Sequence, residues 1–213
     1  MNKHNPSRLR SAALAALAAV TVANSMLLGG CAAVVVGGAA VGTAMVATDR
    51  RTSGTQLEDQ NIELKALTRI SETVGDRGHV NVTSYNRMVL LTGEVASEAD
   101  RTALEQGIGR IEGVRSIVNE LAVMGSSSFT ARSNDTVLTS MVKASFVDAK
   151  DLQSNAFKVI TERATVYLMG RVTEREAARA AELARGVSGV QKVVRVFDIL
   201  TDAELAALGG TKT

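Results

Sequence analysis

The 213-residue chain contains one thiol, Cys31, and two imidazoles, His4 and His79. Nucleophilic thiol chemistry needs a base held beside the sulfur, and ordinary zinc centres draw several His and Cys ligands together. Only His79 lies beyond Cys31, so neither arrangement can be assembled if that thiol is covalently modified. Carboxylates are plentiful, but Glu98 with Asp100 and Glu174 with Glu176 open predicted helices. There they answer the helix dipole more simply than they form an acid/base pair. Gly107-Ile108-Gly109 begins like a dinucleotide fingerprint without its third glycine or a βαβ unit around it. Asn81-Val82-Thr83 and Asn134-Asp135-Thr136 match a glycosylation sequon by chance, the second being better suited as a helix cap. The residues imply no enzyme, no catalytic site, no metal and no cofactor.

What remains is the chemistry of Cys31 itself. Lys3, Arg8 and Arg10 precede an apolar run from Ala12 to Leu28, the charged and apolar regions of a secretory signal spanning residues 1–30. Leu28-Gly29-Gly30-Cys31 resembles the bacterial lipobox, in which the cysteine becomes the first mature residue and is acylated, with palmitate among its chains, on thiol and amine. A lone exported thiol has no internal disulfide partner. Lipid attachment is therefore the expectation for Cys31, with membrane association through its acyl chains.

Three of the 24 basic residues and none of the 22 acidic ones precede Cys31, which leaves the processed chain with a net charge of −1. A nucleic-acid binder should carry a strongly basic domain, so no nucleic-acid partner is expected. Residues 31–54 form the lipidated N-terminus and a tether whose stretch from Ala32 to Thr48 is uncharged and rich in Gly, Ala and Val. That stretch is at the short limit for spanning hydrocarbon, and Gly38 with Gly42 has the spacing that lets apolar helices approach.

The elements that would carry any further function come in duplicate. Leu90-Leu91-Thr92-Gly93-Glu94-Val95 matches Tyr167-Leu168-Met169-Gly170-Arg171-Val172, and Ile111-Glu112-Gly113-Val114 matches Val187-Ser188-Gly189-Val190. Such self-similarity is the signature of a repeated structural unit. Ile62, Ala66 and Ile70, like Leu138, Val142 and Phe146, recur every fourth residue and predict an amphipathic helix opening each copy. Asp59 and Asn134 or Asp135 are the expected N-caps. Alternation at Val80 and Val82, and at Phe157 and Val159, predicts a strand. Strands Met88 to Val95 and Thr165 to Val172 follow, then helices from about Ser97 to Ile111 and Glu174 to Val187, then strands Val114 to Val123 and Val190 to Leu200. The fold class is α+β, each copy αββαβ with a small three-stranded sheet packed on two helices. The copies are expected over 55–124 and 133–201, joined by a linker over 125–132 and followed by a tail over 202–213.

That order resembles the BON domain, which runs from a capped helix through a V-x-L-x-G-x-V strand to a G-V-x-x-V-x-N strand. The first copy reads Val89-Leu90-Leu91-Thr92-Gly93-Glu94-Val95 and Gly113-Val114-Arg115-Ser116-Ile117-Val118-Asn119. The second has Gly170-Arg171-Val172 and Gly189-Val190-Gln191-Lys192-Val193, with Arg195 where the asparagine is expected. With its lipobox and tether, the chain resembles outer-membrane lipoproteins with two BON domains. The resemblance implies a non-enzymatic, lipid-anchored protein facing the periplasm of a Gram-negative bacterium. It would bind anionic phospholipid through the second BON domain and support outer-membrane integrity, including at the cell division site. Ala32 is compatible with that destination, since the inner-membrane retention signal of enteric bacteria is aspartate there. The alternative is a protein-interaction module for the outer-membrane β-barrel assembly machinery or for cell-wall enzymes.

Helix geometry in the second copy suggests the phospholipid-binding surface. With Leu138, Val142 and Phe146 toward the core, Val137 and Met141 form a neighbouring stripe, with Ala144 next along it, and Lys143 and Lys150 stand at its edge for lipid phosphates. Packing of Val137 and Met141 against the first copy is the competing arrangement. The resemblance places an aromatic anchor where Val137 stands, and its loss implies weaker intrinsic lipid affinity.

Overall fold

The computed structural model describes residues 49–209. The signal segment, Cys31, the tether up to Thr48 and residues 210–213 lie outside the described residues. In the first repeat, Thr52 caps α1 (Ser53–Thr73) by accepting the amide of Thr55. A 3-10 turn leads to β1 (His79–Tyr85) and β2 (Met88–Val95), an antiparallel hairpin, followed by α2 (Glu98–Gly109) with Ser97 as its cap. The chain then returns parallel to β2 as β3 (Ser116–Asn119) and β4 (Ala122–Val123), interrupted at Glu120 and Leu121. The second repeat reproduces this order with α3 (Phe129–Asp148), β5 (Phe157–Glu162), β6 (Thr165–Val172), α4 (Glu174–Gly186) and an unbroken β7 (Lys192–Ile199). Its sheet is ordered β5-β6-β7. A further helix, α5 (Asp202–Gly209), occupies most of the expected tail.

The helix starts correct the expected caps. Ser128, not Asn134 or Asp135, caps α3, and Thr52, not Asp59, caps α1. The expected linker therefore contains the start of a helix. Asp59 and Asp135 are buried well inside their helices because they hold the hairpin turns. Asp59 accepts the amides of Asn86 and Arg87, and Asp135 those of Arg163 and Ala164, each at 2.8 Å. All four turn residues have left-handed φ, from 49° to 65°, the conformation a two-residue hairpin with native twist demands. Turn amides that cannot pair across the hairpin thus find an acceptor in the opening helix.

The central strands are buried on both faces. Val89, Leu91 and Val95 join Ile62, Ala66, Leu104 and Ile108 in one core, and Val166, Leu168 and Val172 join Val142, Phe146 and the alanines of α4 in the other. The intervening residues point the other way. Tyr85 and Leu90 meet Tyr167, Met169 and Val196 in a third apolar cluster between the two sheets. The described residues, 49–209, consequently belong to one compact unit. Gly93 and Gly170 both sit where an added Cβ would strike a backbone carbonyl of the neighbouring segment, but only Gly93 has positive φ, at 109°.

Candidate membrane-facing surface

Three forces orient α3. Ser128 accepts the Ala131 amide, Asp135 is tied to the hairpin turn, and Val142 and Phe146 are held in the core. The opposite side of the helix is left to solvent. At 100° per residue, Phe129, Ser133, Val137, Ser140, Met141, Ala144 and Val147 fall within one half of the circumference, and all seven are exposed. Phe129 is 80% exposed, Val147 69%, Val137 58% and Met141 42%. None of the seven carries a charge, and the one acidic residue in the same arc, the exposed Asp148, ends the helix. Arg132 and Lys143, eleven residues apart, share the same flank, and Lys150 is exposed just past the helix.

Of the residues expected to contact lipid, Val137, Met141 and Ala144 therefore share one exposed face. Lys143 stands at its edge, and Lys150 lies beyond its end. The competing arrangement, with Val137 and Met141 packed against the first repeat, is not adopted: both are exposed, and the apolar cluster shared by the domains is built by the sheets. Phe129 and Val147 escaped the sequence reading. Phe129 lay in what was read as a Gly/Ser linker, although it stands eight residues before Val137, two helical turns away. Its ring gives the face an aromatic despite the valine at 137. Next to Val137, a groove of about 630 Å³ runs past Leu138, Asn134, Ala164, Gly189 and Gln191.

No helix among the described residues is long and apolar enough to cross a membrane. The first-turn carboxylates act as helix partners, as expected. Asp100 accepts from the Ser97 hydroxyl and from Arg77, which hold its pKa below the usual value, and Glu176 completes a capping box with Thr173.

Matching to known families finds the BON domain twice, over residues 58–125 and 134–201. The chain belongs to the BON-domain family. It is similar to outer membrane lipoprotein DolP of Haemophilus influenzae, with 41% identity over 188 residues covering 85% of this chain and 95% of that one. A 21 kDa hemolysin of Actinobacillus pleuropneumoniae is 30% identical over 70% of this chain and 78% of its own. A solved chain of CdsD, a structural protein of the type III secretion system of Chlamydia trachomatis, is 10% identical, with a TM-score of 0.28 over 69% of this chain and 98% of that one. The BON-domain chain is thus of the DolP type, with two BON domains, and its place is the outer membrane, held by a lipid anchor.

Proposed function

We propose that this outer-membrane lipoprotein binds anionic phospholipid through α3 of its second BON domain and so supports outer-membrane integrity, without enzymatic activity and including at the division site. Cys31 is the residue that carries the acyl chains, and the BON domains face the periplasm. One observation carries the lipid reading: the exposed α3 face bearing Phe129, Val137, Met141 and Val147, with Lys143 at its edge and a single acidic residue, Asp148, at its C-terminal end. Single exposed apolar residues need no explanation, but four large ones on one face of a single helix point to an interaction surface. A helix with apolar residues on one side and basic residues beside them lies in the headgroup plane. The acyl chains on Cys31 already place the protein on the bilayer, so α3 needs only modest affinity to act.

The groove beside Val137 favours a second reading, in which the same face docks an assembly or cell-wall protein. Flotation of residues 48–213 with vesicles separates the two. The lipid reading expects binding to vesicles containing anionic lipid, weaker binding to neutral ones, and weakening with salt as surface charges are screened. Absence of binding to either vesicle would leave the protein-docking reading. Acyl labelling tests the anchor independently, since Cys31→Ala should abolish the label.

A further inference from the structure

Among the described residues, six buried side-chain polar atoms make no hydrogen bond, and five of them belong to residues of one cluster. They are His79 Nδ1, Glu94 Oε1, Ser127 Oγ, Glu162 Oε1 and Arg163 Nε; the sixth is Tyr85 Oη in the contact between the sheets. His79 and Glu94 come from β1 and β2 of the first BON domain, and Glu162 ends β5 of the second. The Glu94 side chain is wholly buried, and Glu162 is 3% exposed. Donor atoms of His79, Glu94 and Glu162 all lie within 4.8 Å of one another.

Both carboxylates are already oriented. Glu94 Oε2 accepts the Ser127 amide at 3.1 Å and lies 3.5 Å from His79 Nδ1, while Glu162 Oε2 accepts from Asn81 Nδ2 at 2.9 Å. In each, the other oxygen remains without a hydrogen bond. Arg163 Nε stands 3.6 Å from Glu94 Oε1, a contact too long to be a hydrogen bond. Unpaired carboxylate oxygens are costly to bury. A divalent cation would supply the bonds they lack.

We infer that His79, Glu94 and Glu162 form a binding site for a divalent transition cation of the zinc class, which cross-links the two BON domains. One imidazole nitrogen and two carboxylate oxygens make a borderline donor set that suits zinc better than magnesium or calcium. Zinc bonds of about 2.0–2.2 Å put neighbouring donors roughly 3.4 Å apart, so closing the site takes side-chain movement of about 1 Å. Three protein ligands leave a fourth position for water, which can enter from a small cavity lined by His79, Asn81, Thr139 and Glu162. Asn81 and the Ser127 amide orient the carboxylates, as outer-shell partners do in metal sites. The ligands belong to two domains, so the bound cation holds those domains together.

The test uses the lipidated chain in detergent, whose processed form has His79 as its single histidine. Titration with Zn2+ should saturate at one equivalent, shift the His79 imidazole resonances, and raise the melting temperature by about 5–10 °C at a hundredfold excess over Kd. Glu162→Gln, which keeps the acceptor for Asn81, and His79→Gln should each weaken binding at least tenfold while circular dichroism stays unchanged. Mg2+ at the same concentrations should leave the imidazole resonances in place. Absence of stoichiometric Zn2+ binding, binding that survives both substitutions, or an equal response to Mg2+ would overturn the assignment.

Discussion

Arg50 Nη2 lies 2.7 Å from Glu176 Oε1 and Arg50 Nη1 lies 2.8 Å from Glu176 Oε2, a bidentate pair joining the segment before α1 to the first turn of α4. The two side chains are 7% and 6% exposed. Arg50 also donates to the Arg171 carbonyl, while Arg51 pairs with Asp59 and stacks 4.1 Å over the Tyr85 ring. Two consecutive arginines thus strap the entry of the chain to both BON domains.

This strap makes stability depend on acid. The hydrogen bond from Arg50 outweighs burial and, with the Thr173 amide, holds the Glu176 carboxyl at about 2 against an ordinary 4.5. A depressed carboxylate stabilises the fold fully above its unfolded pKa and ceases to do so as pH falls through the folded value. The contribution, on the order of 2–3 kcal/mol, should therefore be present above about pH 4.5 and disappear toward pH 2. Urea denaturation at pH 6 and pH 3 should find Glu176→Gln less stable than wild type at pH 6 and less sensitive to the change. Equal losses in both proteins would remove the pair from the acid response.

The hairpin turns give a prediction of opposite signs at neighbouring positions. Asp135→Ala leaves the Arg163 and Ala164 amides without their acceptor and should cost about 2–3 kcal/mol. Ala164→Gly relieves a φ of 56° and should raise stability by about 0.5–1 kcal/mol, the left-handed relief exceeding the extra freedom of the unfolded chain. Urea midpoints of the two variants should move in opposite directions.

Contact between the sheets should be separable from the folding of each half. Met169 is fully buried among Tyr85, Leu90, Tyr167 and Val196. Met169→Asp places a charge there and should part the domains while their helices persist. Limited proteolysis should then cut faster between Met124 and Ser128, with helical circular dichroism largely retained. Unchanged cleavage would mean that the polar rim alone holds the domains together.

On the α3 face, Phe129→Ser removes the most exposed aromatic surface and should weaken binding to anionic vesicles roughly tenfold, the equivalent of about 1.4 kcal/mol of apolar contact. Met141→Glu should weaken it through lost contact and added repulsion. Val137→Trp should strengthen it, because indole favours the interface. Unchanged flotation in all three variants would place the lipid contact elsewhere.

Much of the architecture was legible because periodicity is a local property. The αββαβ order followed from alternation in β1 and β5 and four-residue spacing in the opening helices, and the duplicated motif located β2 and β6. Local signals misled where a residue served a distant partner. Asp59 and Asp135 looked like caps, as isolated helix-start residues do, but their carboxylates serve turns 27 to 29 residues later. Gly125 to Ser128 looked like the opening of a longer linker, and that concealed Phe129 on the α3 face.

The segments Met88 to Val95 and Thr165 to Val172 are apolar enough for burial on both faces, yet the sequence reading covered only one, with the two helices of each copy. What would cover the second side was not written there, since Leu90 and Met169 are equally suited to any apolar partner. Only the packed chain decides that the two sheets cover each other, because that choice depends on the joint shape of two surfaces. The same packing brings Glu162 to His79 and Glu94 across 83 and 68 residues, and it leaves α3 facing outward. Spacing along a chain carries no record of such encounters, which arise when two domains bury a shared face.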